Sequence, residues 1–134
     1  MLIRRVAALA AVVVAGACGP RSERLSMRSE NNSGQNGFAL LTALSANSTR
    51  VEVDLSAPLD RQPQPAHVHE GRCGEIGPIR AGLDVLEASP AKPDRFVSTS
   101  DVQLGLEQLF SSPFAINVHD ARDLSLYVSC GGPP

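Results

Sequence analysis

"TRVEVDLSA", residues 49–57, alternates Val51, Val53 and Leu55 with Glu52, Asp54 and Ser56. Successive side chains of an extended chain point to opposite faces, so this period of two predicts a strand with one dry and one wet face. The neighbouring stretches carry related signals. "GFALLTALS" precedes it, and "AHVHE", "IRAGLDVLEA", "RFVSTSDV", "FAINVHD" and "LSLYVSC" follow. Turns rich in Pro and Gly, such as "PLDRQPQP" and "ASPAKPD", separate them. "LGLEQLFSS" reads as one short helical turn or a loop. Seven or so short strands, with no room for crossover helices, predict an all-β antiparallel sandwich or barrel.

At 134 residues the chain has room for one domain. Residues 1–17 run from a basic start (Arg4, Arg5) through the apolar "VAALAAVVVAGA", the layout of a secretory signal peptide. That run is too short to span a bilayer comfortably. Ala15, Gly16 and Ala17 directly before Cys18 resemble a bacterial lipobox, with Ala15 where a leucine is usual. The resemblance implies that Cys18 is the lipidated first residue of the mature protein. Residues 18–36, "CGPRSERLSMRSENNSGQN", are polar and without period, which predicts a flexible tether. The folded domain is then expected over 37–134.

Export favours oxidised thiols, and giving Cys18 to lipid leaves the pair Cys73 and Cys130 for one disulfide. The loop so closed, about 58 residues, is worth roughly 4 kcal/mol in the chain-entropy account. Losing Arg4 and Arg5 from twelve basic residues leaves ten against fourteen acidic ones. A mildly acidic mature chain offers no footprint for nucleic acid. With no Trp, the core falls to Val, Leu, Ile, Ala and four Phe.

The chain has three histidines. His67 and His69 form H-x-H on one expected strand, and His119 closes the apolar run "FAINV". An i, i+2 pair on a strand shares one face, and one further imidazole from a neighbouring strand completes a three-coordinate centre suited to copper or zinc. On spacing alone, scattered hydrogen-bonded histidines are the competing reading.

"AHVHEGRCG" followed by "FAINVHDARDLSLYVSCGG" resembles the copper/zinc superoxide dismutase family over residues 65–131. The resemblance implies a Greek-key β-sandwich or barrel. It implies copper on His67, His69 and His119, the Cys73–Cys130 disulfide, and Asp123 as the carboxylate orienting the ligand histidines. A carboxylate in that role fixes the imidazole tautomer and raises its basicity.

Departures from the family pattern shape the functional expectation. No histidine lies between His69 and His119, so a bridged copper–zinc pair is not available and zinc is not expected. Tyr127 stands where the family has an anion-attracting arginine; Arg72, Arg80 and Arg122 are the remaining candidates for positive potential. Glu70 and Asp120 flank ligands and are read as facing water. The expected function is therefore a lipid-anchored, copper-binding protein of the bacterial cell envelope. It would dismutate the small anion superoxide with reduced or no activity, or hold copper. "AHVHEGRCGEIGPIRAGLDVL" also resembles the CHRD-type extracellular module, which implies a metal-free interaction or structural role.

Overall fold

The computed structural model describes residues 19–134; the expected signal peptide and the Cys18 lipidation site lie outside the described residues. Strands β1 (Ser22–Ser29), β2 (Gly37–Ser45), β3 (Ser48–Ser56), β4 (Gln64–Arg72), β5 (Glu75–Ala88) and β6 (Arg95–Val102) are followed by the helical turn α1 (Leu106–Phe110). Strands β7 (Phe114–His119) and β8 (Tyr127–Gly131) complete the described chain.

Within β3 the alternation behaves as its residues dictate. Val51, Val53 and Leu55 are buried, while Glu52, Asp54 and Ser56 retain solvent contact. The inward positions of the other strands extend the same core. Leu41 of β2, Val68 of β4, Leu86 of β5, Phe96 of β6, and Phe114, Ile116 and Val118 of β7 are all buried in it. Each large side chain removed fully from water contributes roughly 1.5–3 kcal/mol.

The strands are hydrogen-bonded in the order β1-β2-β3-β6-β5-β4-β7-β8, and β8 returns to β1 to close the barrel. Every pairing is antiparallel. Consecutive strands β4, β5 and β6 lie side by side, with β7 returning to β4 and β3 to β6, so the topology is Greek-key. The antiparallel all-β fold expected from the strand pattern is the one observed.

The tether expected over 18–36 is corrected. Ser22–Ser29 is a strand, with Leu25 and Met27 buried and Arg24, Ser26 and Arg28 outside. It pairs with β2 from Ser22↔Thr42 to Met27↔Gly37, and with β8 at Arg28↔Cys130 and Ser29↔Ser129. Two apolar side chains suffice because β1 joins sheet edges that would otherwise be open. The turn after β1 is equally ordered. Gln35 and Gln64 are both buried and exchange reciprocal amide bonds of 2.8 and 2.7 Å, fastening this segment to the start of β4.

Candidate metal centre

Three histidines converge on the outer face of the β4–β7 pair. Val68 points into the core, which sends His67 and His69 to the opposite face of β4. On β7 the inward residues are Phe114, Ile116 and Val118, so Ala115, Asn117 and His119 share the outer face. Register places His67 opposite Asn117 and His69 opposite Ala115. The ladder slips between Val68 and His69, again between His69 and Gly71, and between Val118 and His119. Bulges of this kind bend a strand and re-aim a side chain. Here they flank two of the three histidines.

One ligand-capable nitrogen from each of His67, His69 and His119 lies within 4.8 Å of the other two. Bonds of about 2.1 Å from imidazole to a shared ion place nitrogens up to about 4.2 Å apart, so a closure of about half an ångström suffices. His69 and His119 are 6 % and 4 % exposed, whereas His67 is half-buried. Solvent therefore reaches the cluster on the His67 side.

Backbone carbonyls fix the tautomers. His69 Nδ1 lies 2.9 Å from the Gly77 carbonyl and His119 Nδ1 lies 2.8 Å from the Leu124 carbonyl. A carbonyl only accepts, so both Nδ1 atoms carry hydrogen, and in a neutral ring that leaves the lone pair on Nε2. His67 Nδ1, 2.9 Å from His119 Nε2, must then donate to it. His69 Nε2 is buried with no partner. A buried lone pair beside two other imidazoles fits a cation, which would take the place of the proton between His67 and His119.

Burial pushes the His67 ring below the ordinary imidazole range, and the neighbouring His119 and His69 push the same way. Burial lowers His119 too; its bond to the Leu124 carbonyl opposes this, and His69 adds to the lowering. The net lowering of both rings favours the neutral, ligand-competent form.

The orienting role expected of Asp123 is corrected. Its carboxylate accepts from the Ser125 amide at 2.9 Å and the Ser125 hydroxyl at 2.6 Å, closing an exposed turn. The next residue's carbonyl, on Leu124, does the orienting instead. Tyr127 packs its ring edgewise against His119, with centroids 5.1 Å apart. Arg80 donates to the carbonyls of Gln108 and Leu109, and Arg122 pairs with Asp60 and Asp120, so both guanidinium groups are engaged elsewhere. Glu70 is exposed.

Cys73 and Cys130 form a disulfide that ties the β4–β5 turn to β8, with Cα atoms 5.9 Å apart. Beside it, at the β1–β8 seam, lies a cleft of about 610 Å³ lined in part by Arg24, Arg28 and Arg72. No histidine lines it, so this cleft and the histidine cluster are separate features.

Sequence reasoning found all three histidines and missed their orienting partners. Gly77 and Leu124 act through backbone oxygens, which no side-chain pattern discloses. Asn117 was also missed, although one amide inside the apolar run "FAINV" is a legible anomaly. No family model and no curated protein matches the chain.

Proposed function

We propose that the barrel binds one copper ion through His67 Nδ1, His69 Nε2 and His119 Nε2, as an exported protein of superoxide dismutase-like design. The observation that carries this reading is the convergence of three imidazoles from two strands, one with a buried ring nitrogen that has no partner. Affinity of a nitrogen site for divalent ions peaks at copper, which favours it over zinc for this donor set. Bound there, copper supplies a one-electron acceptor and donor for a small anion such as superoxide.

The chain's own residues do the rest. The Gly77 and Leu124 carbonyls hold the His69 and His119 rings with Nε2 facing inward. His67 would hold an ion through Nδ1 only with its proton on Nε2, the other tautomer from the one that donates to His119. The half-buried His67 edge is the approach for the anion. With Arg80 and Arg122 held by other partners and Arg72 lining the cleft beside the disulfide, the positive potential drawing it is the ion's own, so dismutation is slow and copper holding accompanies it. The lipid anchor at Cys18 would keep this chemistry at the cell envelope, with the membrane and superoxide as the partners.

The test is copper loading. The mature chain should take up one Cu(II) with spin-resonance hyperfine from about three imidazole nitrogens, and His69→Ala should abolish stoichiometric uptake. Superoxide consumption on the loaded sample separates enzyme from copper holder. A parent chain with no stoichiometric uptake would instead support the metal-free interaction module.

A further inference from the structure

The most anomalous side chain in the protein is Asn117. It is 0 % exposed, and neither its Nδ2 nor its Oδ1 has a hydrogen-bond partner. An amide left unpaired in the interior gives up its hydrogen bonds to water with nothing in return, so buried amides are almost always satisfied. An apolar residue at this strand position would carry no such penalty.

Its neighbours show what the amide serves. Asn117 stands directly opposite His67 on β4 and opposite Cys130 on β8, and precedes His119 by two residues on the same outer face of β7. Directly opposed side chains on adjacent strands have Cβ atoms about 4.5–5.5 Å apart. His69, one diagonal step away, contributes the unpaired Nε2. Of the four buried side-chain atoms without partners among the described residues, three belong to this one face. The fourth, Ser98 Oγ, is on β6.

We propose that Asn117 is the ligand-selecting group of the histidine site, its amide receiving the small anion or hydroxide that a bound ion would carry. The proposal rests on the copper reading above. Nδ2 donates to the anion and Oδ1 accepts from a water beside it, so one ligand shell satisfies both orphaned atoms. A neutral amide adds no charge to the site. It selects by hydrogen bonding, favouring anions that accept.

Azide titrated into the copper-loaded mature chain, followed by the ligand-to-copper absorption band, provides the test. Asn117→Leu replaces the amide with an apolar side chain of similar size, and should weaken azide binding tenfold or more. Its copper stoichiometry and nitrogen hyperfine should match the parent. Asn117→Asp keeps the shape and guards against a misfolded leucine variant; its carboxylate should repel azide and weaken binding further. Azide affinity within twofold of the parent in either folded variant overturns the proposal and leaves Asn117 a structural amide. A parent that binds no copper fails the metal reading itself, a result separate from any behaviour of the variants.

Discussion

Single residues decide the shape of the site. Gly71 lies two residues beyond His69, at φ +94°, where a Cβ would fall 2.3 Å from the Glu75 carbonyl oxygen. Its amide also bonds the Pro113 carbonyl at 3.2 Å. Left-handed backbone at a non-glycine residue costs of order 1–3 kcal/mol, and the clash adds to it. Gly71→Ala is therefore expected to lower the urea midpoint by an amount in or above that range; a midpoint unchanged from the parent would contradict this backbone geometry. The histidines make a second residue-level prediction. His67 and His119 titrate below the ordinary value near 6.5 because they are buried, and the unfolded chain does not share that lowering. Below pH 6.5 the unfolded state thus binds more protons than the folded one, and stability falls as pH descends through the two folded values. Above 6.5 these two groups contribute no slope. Urea titrations of the ion-free protein between pH 7.5 and 5 should show this loss, reduced in a His67→Gln, His119→Gln double variant. An equal slope in both proteins would assign the pH dependence to other groups.

Strands were legible in proportion to how many apolar residues they alternate. β3 carries Val51, Val53 and Leu55 and could be read with no other information. β1 carries only Leu25 and Met27 among Arg, Ser and Glu, which resembles a solvated tether until its pairing with β2 and β8 supplies the missing stabilisation. Nonlocal hydrogen bonding leaves little trace in a segment's own composition. The site divides the same way. Its three histidines are side chains in a recognisable order, whereas the carbonyls that orient them depend on bulges and turns, and Asp123 lost that role to the turn it closes. The status of β1 is measurable. Met27 is 2 % exposed and packs in the core, so Met27→Ala should cost about 2–5 kcal/mol of unfolding free energy. A tether residue would cost less than about 0.5 kcal/mol, as surface substitutions do.

For the whole molecule, the question is what holds the two halves of the site in one place. His67 and His69 belong to β4 and His119 to β7, and the disulfide fixes the end of β4 to β8, the other neighbour of β7. Cys130 also stands opposite Asn117 and pairs with Arg28 on β1, at the short seam where the barrel closes. Gly131 lies so close to that seam that a Cβ there would meet the Ser26 carbonyl at 2.5 Å. One covalent bond thus restrains the seam and the turn after the H-x-H strand together. Opening it releases a loop spanning 57 positions, which the chain-entropy account values at roughly 4 kcal/mol. A Cys73→Ala, Cys130→Ala double variant should unfold at correspondingly lower urea. A reductant should bring the parent to the same midpoint while leaving the variant where it was. Copper affinity should fall in both reduced parent and variant, because the turn leading into β5, whose Gly77 carbonyl holds His69, is no longer tethered. Unchanged copper affinity would mean that β4–β7 pairing alone holds the histidines, and that the disulfide serves barrel closure without serving the site.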